Sequence, residues 1–261
     1  MDSAMRTVVA VPARLQSARL PGKVLADIGG KPMLQWVLER CRRARRPEAV
    51  VLCTDNDSLM RAAAEWGFAA LATETACRSG SERIASVVDQ VVALGGAPAE
   101  QTVILNVQGD QPFVDPATID ALAEEFERRG PNAEVLTPVY PIGAGSLHDP
   151  DIVKALVAAD GRALYFSRSA IPHVRGVDPG DWHHHGPHWG HVGLYAYRAD
   201  VLARWHELPH SPLEEREQLE QLRLLEAGIQ VGTVPVQGDF LAVDTPGQLE
   251  RARAIAAAQE D

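Results

Sequence analysis

Cysteine is scarce in this chain, and its placement excludes two classes of protein. Cys41, Cys53 and Cys77 are an odd number with no metal-type spacing. They specify neither a disulfide framework nor a thiolate metal site, and a reduced, cytoplasmic protein is the expectation. Long apolar runs are also missing. None approaches the ~18 residues of a membrane span, and no charged-then-apolar leader opens the chain, so neither secretion nor membrane spanning is expected. Positive charge is in deficit: 25 Lys and Arg stand against 35 Asp and Glu, a net charge of −10. Non-specific binding to nucleic acid or to an anionic membrane is therefore not expected. Two catalytic signatures are absent as well. There is no Gly-x-Ser-x-Gly elbow and no specifiable Cys/His pair, so a covalent nucleophile has no support.

What is present begins with 261 residues, 46% of them hydrophobic, enough for one large α/β domain. Val8-Val9-Ala10-Val11 reads as a buried strand that breaks at Pro12, which cannot donate to a sheet ladder. The loop beyond it carries Arg14, Arg19 and Lys23, with Gly22 beside the last. Arginine forks grip phosphate oxygens in pairs and lysine acts as a mobile point charge, so this loop suits a polyphosphate. It lacks the fixed glycine and Lys-Ser/Thr order of a P-loop. A second basic cluster, Arg40 to Arg46, lies at the end of a predicted helix and reads as a solvated face.

Strands and helices alternate thereafter. Helices are expected at 33–45, 58–66, 84–94 and 116–129, and strands at 48–54, 68–72, 103–107 and 134–140. This order argues for a parallel sheet covered on both faces, with ligands beyond the carboxyl ends of its strands. From residue 152 shorter strands take over, at 152–157 and 163–166, with Asp160-Gly161 as a hairpin signal. Residues 175–190 hold Trp182-His183-His184-His185-Gly186-Pro187-His188 and read as a mobile surface loop. A strand at 191–197, helices at 199–205 and 213–227, a strand at 229–236 and a helix opened by Thr245-Pro246 complete the chain. No linker separates two domains.

Asp110 and Asp244 each follow an apolar segment and stand beside a chain breaker. Mg²⁺ takes one or two protein carboxylates and fills its other positions with phosphate oxygens and water, so the two could hold one ion. The alternatives are a turn aspartate at 110 and a helix cap at 244. The histidine run has no zinc spacing, because consecutive side chains point apart. Trp36, Trp66 and Trp205 fall within predicted helices and read as core.

An ordered set of blocks then resembles a known family. They are Val11-Pro12-Ala13-Arg14, Leu20-Pro21-Gly22-Lys23, Ser79-Gly80-Ser81-Glu82-Arg83, Asn106-Val107-Gln108-Gly109-Asp110, Tyr165-Phe166-Ser167-Arg168, His191-Val192-Gly193-Leu194-Tyr195, Leu219-Glu220-Gln221 and Val243-Asp244-Thr245-Pro246. Together they resemble the 3-deoxy-manno-octulosonate (Kdo) cytidylyltransferases over nearly the whole chain. The resemblance implies a Rossmann-like nucleotidyltransferase fold of the α/β class, with a mostly parallel central sheet and an inserted smaller sheet. Residues 1–261 form one domain on this reading, with a subregion at about 140–200 serving dimerisation and the acid pocket. The implied reaction is transfer of CMP from CTP to a small sugar acid with release of pyrophosphate, in a cytoplasmic homodimer using Mg²⁺. Pro12, Arg14, Arg19, Lys23, Ser81 and Arg83 are implied for the nucleotide, and Asp110 and Asp244 for the metal. Gln108, Arg168, His191, Tyr195 and Glu220 are implied for the acid, Arg168 suiting its carboxylate.

Three positions depart from the family pattern. Gln111 stands where glutamate is usual, Gly190 where arginine is usual, and Ser81 where threonine is usual. The first two adjoin expected site residues, Asp110 and His191, so the identity of the acid is what they bear on. An 8-amino analogue of Kdo, or a phosphonate such as phosphonoformate, would keep the CTP half and change this half. A nucleotide-binding protein without turnover is the remaining alternative.

Overall fold

A computed structural model describes residues 5–17 and 20–260. Its strands are β1 (Arg6–Pro12), β2 (Asp27–Ile28), β3 (Lys31–Pro32), β4 (Ala49–Thr54), β5 (Ala69–Ala72), β6 (Thr102–Val107), β7 (Val135–Ile142), β8 (Lys154–Val157), β9 (Ala163–Ser167), β10 (His188–His191), β11 (Leu194–Arg198) and β12 (Val231–Pro235). All but β2 and β3 belong to one mixed sheet of order β5-β4-β1-β6-β11-β7-β10-β8-β9, with β12 paired in parallel to β7. The expected α/β class is what the structure has. The run β5-β4-β1-β6 is parallel, and β11 turns the sheet antiparallel. The inserted strands β8, β9 and β10 extend the same sheet through β7, and β2 with β3 forms a separate small ribbon.

Alternation along the strands explains the two covered faces. Val9, Val11, Leu105 and Val107 point into one core with Leu34, Val37 and Leu38 of the helix Met33–Arg42 and Ile119, Leu122 and Phe126 of Pro116–Arg129. Val8, Ala10 and Ile104 point the other way, against Ile84 and Val91. A third cluster joins Ile28, Met33 and Trp36 to Val243, Leu249, Ala252 and Ala256. It clamps the terminal helix Pro246–Glu260 onto the β2–β3 ribbon, and Gly29 lies so close that a Cβ there would meet Ala256 Cβ at 3.1 Å.

The structure departs from the expected elements at three places. The segment expected to be a mobile loop at 175–190 contains a short 3₁₀ turn, Pro179–His184, with Trp182 buried, and ends in β10. β10 is held between β7 and β8, a long-range pairing that overrides the local glycine, proline and histidine content. The polar segment before residue 84 forms the helix Gly80–Ala85, capped by Ser79 Oγ accepting from the Glu82 amide, and the single helix expected at 84–94 is broken between it and Val88–Gly95. The helix expected at 213–227 is two, Pro212–Glu217 and Gln221–Glu226, broken where Gln218 takes a left-handed conformation (φ 55°).

Candidate active site

β1, β4 and β6 run in parallel, so the loops leaving their carboxyl ends share one rim. Close approach there depends on small residues. A Cβ on Gly109 would lie 3.1 Å from the Pro12 carbonyl oxygen, and one on Gly80 would lie 2.7 Å from Gln108 Oε1. The first loop brings Lys23 back over the rim after a left-handed turn at Gly22 (φ 68°). Its Nζ donates to Asp110 Oδ2 and to Asp244 Oδ1, each at 2.7 Å. Burial lowers the Lys23 pKa, but the two carboxylates more than offset this and hold it above its ordinary value.

The terminal helix decides what Asp244 does. Thr245 Oγ1 accepts from the Gln248 amide, and Gln248 Oε1 accepts from the amides of Asp244 and Thr245. That reciprocal cap takes over the role a capping aspartate would have, and the Asp244 carboxylate turns to Lys23. The Thr-x-x-Gln spacing was a readable signal for this division of labour.

Two cavities open at the rim. The first, about 470 Å³, is lined by Pro12, Arg14, Lys23, Ser79, Arg83, Asp110 and Asp244 among others. The second, about 610 Å³, is lined by Gln111, Tyr140, His191, Tyr195, Phe240 and Arg251 among others. Gln108, Asp110, Gln218 and Glu220 line both, so the cavities meet at those side chains. The break between the two helices near residue 218 is what presents Gln218 and Glu220 to that junction.

The implied nucleotide residues gather on the first cavity with two exceptions. Arg19 lies outside the described residues. Ser81 is fully buried and lines neither cavity. Its hydroxyl donates to Glu220 Oε1 (3.1 Å), accepts from Asn106 Nδ2 (3.1 Å) and meets Tyr197 OH at 2.9 Å. Ser81 therefore holds Glu220 from behind, because the helix Gly80–Ala85 turns it inward. Arg83 is clamped by Asp55, Thr73 and the Glu74 carbonyl, which fixes its guanidinium at the cavity edge.

Of the implied acid-pocket residues, Gln108, His191, Tyr195 and Glu220 line the second cavity and Arg168 does not. Arg168 donates to the backbone carbonyls of Glu217 (2.9 Å) and Pro150 (3.1 Å), bracing two loops instead. Arg251 is the sole arginine or lysine of the second cavity's described lining, 2.5 Å from Asp239. Sequence reasoning missed it, along with Tyr140 and Gln218, since nothing local marks a residue that only packing brings to a wall.

Charge states at the junction follow from burial. Glu220 is raised above the usual carboxylate range by desolvation, partly countered by hydrogen bonds from Ser79 and Ser81. His191 is pushed down to about 3 by desolvation, so it is neutral at pH 7. Thr137 Oγ1 donates to the Leu194 carbonyl at 2.7 Å and so accepts from His191 Nε2 at 2.9 Å, which assigns the imidazole proton to Nε2.

The donor set at the junction suits a divalent cation. Two carboxylate oxygens, from Asp110 and Asp244, already converge on one positive centre, the Lys23 ammonium. No group of three or more His, Cys, Asp or Glu able to hold a metal occurs among the described residues, so other ligands to such an ion would come from phosphate and water.

A cationic rim over a parallel sheet, two carboxylates at one point and paired cavities define a nucleotidyltransferase, and the family described as cytidylyltransferase matches residues 8–231. The 3-deoxy-manno-octulosonate cytidylyltransferase of Myxococcus xanthus is 42% identical over 250 residues, 96% of each chain. That of Escherichia coli is 38% identical over 252 residues, 97% of this chain and 96% of its own. The solved structure of CMP:2-keto-3-deoxy-manno-octonic acid synthetase complexed with CTP superposes with a TM-score of 0.87 at 38% identity, covering 98% of this chain and all of that one. A Leptospira borgpetersenii cytidylyltransferase, at 16% identity and a TM-score of 0.64 over 97% of this chain and 87% of its own, shares the fold. The chain belongs to the 3-deoxy-manno-octulosonate cytidylyltransferase family.

Proposed function

We propose that this chain transfers CMP from CTP to a hydroxyl of 3-deoxy-manno-octulosonate and releases pyrophosphate. The observation that carries the reading is the meeting of two cavities at Asp110, beside the point where Lys23 joins Asp110 to Asp244. CTP occupies the first cavity, with Arg14 and Lys23 on its phosphates and Arg83 fixed at the edge. The sugar acid occupies the second, where Gln108, His191, Tyr195 and Glu220 offer hydrogen bonds to its hydroxyls. Gln108 and Glu220, on the shared wall, orient the attacking hydroxyl toward the α-phosphorus. Displacement in line then needs chiefly positioning and charge stabilisation. Asp110 and Asp244 would hold Mg²⁺, which neutralises phosphate charge when bound. The neutral His191 avoids placing a further charge beside the acid.

A second reading changes only the acceptor. Gln111 is neutral and nearly buried on the second cavity, and Gly190 has no room for a side chain. A relative of the sugar acid, or a phosphonate, would keep the CTP half intact. Residues 140–200 contribute Tyr140, Ser146, Asp149, Asp151 and His191 to the second cavity, in keeping with an inserted acid-pocket subregion. The sheet ends at β9, where Leu164 is 51% exposed, and this edge is the surface we assign to a homodimer. Among the described residues no helix is long and apolar enough to cross a membrane.

Pyrophosphate release with CTP and Mg²⁺ tests the reading against 3-deoxy-manno-octulosonate, its 8-amino analogue and phosphonoformate. Release with the first supports it, and release with another acid alone transfers support to the second reading. CTP binding with silence across all acids would leave a nucleotide-binding protein.

A further inference from the structure

Tyr140 and Gly190 face each other directly across the β7–β10 pair. A Cβ on Gly190 would fall 2.6 Å from Tyr140 Cζ, 2.7 Å from its Cε1 and 2.8 Å from Ile142 Cγ2. Those separations are far inside van der Waals contact, so a side chain at 190 and the Tyr140 ring in this position exclude each other. The backbone at 190 is not in the left-handed region. The glycine is therefore required by the ring that covers it and not by a turn. Phe240 holds the same ring from another side, with centroids 5.0 Å apart.

The ring so fixed lies on the wall of the second cavity and not on the wall shared with the first. Its hydroxyl has no hydrogen-bond partner among the described residues. Burial, with Asp239 and Asp149 nearby, pushes the phenol pKa up, so the group remains a donor at neutral pH. An immobilised O–H without a partner, at the edge of a polar cavity, is the feature by which a site selects a ligand bearing a matching acceptor.

We propose that Tyr140 is an acceptor-specificity residue, donating its O–H to an oxygen of the bound acid remote from the reacting hydroxyl, with Gly190 serving to admit the ring. The inference rests on the assignment of the second cavity to the acid. Tyr140→Phe keeps the ring, its packing on Phe240 and the cover over Gly190, and removes only the hydroxyl.

Steady-state pyrophosphate release by the full chain, with each substrate varied at saturation of the other, supplies the test. Tyr140→Phe is expected to raise KM for 3-deoxy-manno-octulosonate roughly three- to tenfold, the worth of one hydrogen bond, and to leave KM for CTP unchanged. Gly190→Ala is expected to raise the same KM and to lower the melting temperature, because the ring must move. In Tyr140→Val/Gly190→Ala the melting temperature recovers and the acid KM stays high. An active wild type whose acid KM is unmoved by Tyr140→Phe overturns the assignment of Tyr140 alone. A wild type silent with every acid overturns the reading beneath it as well.

Discussion

The backbone amide of Val243 donates to the carbonyl of Asp110 at 2.9 Å, stitching the segment before the terminal helix to the loop that leaves β6. This bond, with the packing of Val243 and the terminal helix, sets Asp244 beside Asp110. The side chains then meet on Lys23, and the cationic loop, the sheet rim and the terminal helix become one site.

Removing either carboxylate tests that junction. Asp110→Asn and Asp244→Asn are each expected to lower kcat by about 10²–10³-fold, the typical cost of losing one group that stabilises developing charge. Lys23 keeps one partner in each variant, so stability should fall by about 1 kcal/mol, or roughly 2–4 °C in Tm. Pyrophosphate release and thermal unfolding measure the two effects separately. Near-normal turnover in either variant removes that residue from the proposed metal site.

Arg14 is exposed on the first cavity and has no hydrogen bond among the described residues, so its guanidinium is available to a ligand. Arg14→Ala should weaken CTP by about 10- to 100-fold, the worth of charge-assisted hydrogen bonds. Stability should hardly change, and the deficit should shrink at high salt as screening weakens the wild type. Equal CTP affinity in the two proteins by calorimetry would place the triphosphate elsewhere.

Ser81 separates a structural role from a nucleotide-binding one. Ser81→Ala strips buried Asn106, Tyr197 and Glu220 of a shared partner and should cost about 1–3 kcal/mol of stability. Because Ser81 lines neither cavity, its loss should act through displaced Glu220 and raise KM for the acid. A selective loss of CTP binding would contradict the buried geometry.

His191 gives stability a pH dependence of known sign. Its folded pKa, about 3, lies below the ordinary histidine value of 6.5. Between those values the unfolded chain takes a proton that the folded one refuses, so stability falls as pH drops through that window. His191→Gln should lack this contribution. The stability difference between wild type and variant, from denaturant melts at pH 7 and pH 4.5, should shift against the wild type at the lower pH. A constant difference would mean that His191 is solvated and titrates normally.

The cationic loop was legible because its ingredients are local. Four apolar residues, a proline and a set of cations lie in one short stretch, and each acts through its own backbone preference or charge. Asp110 was legible for the same reason, as an acidic turn after an apolar strand. The helix break near residue 218 was not, since a left-handed glutamine leaves no mark in the hydrophobic period. β10 was hidden under glycine, proline and histidine, residues that suit a loop until two neighbouring strands claim their backbone hydrogen bonds.

By itself, then, the chain's order of residues determined the alternating elements, the cationic character of the first loop and the two candidate metal carboxylates. Periodicity, chain breakers and side-chain charge act over a few residues and can be seen without a fold. Tertiary structure alone decided that the Asp244 carboxylate meets Lys23, that Ser81 turns inward behind Glu220, and that Arg168 braces loops while Tyr140 and Arg251 line the second cavity. Those outcomes depend on the sheet's strand order and on the clamp of the terminal helix, which bring distant residues within bonding distance. No local pattern encodes that distance.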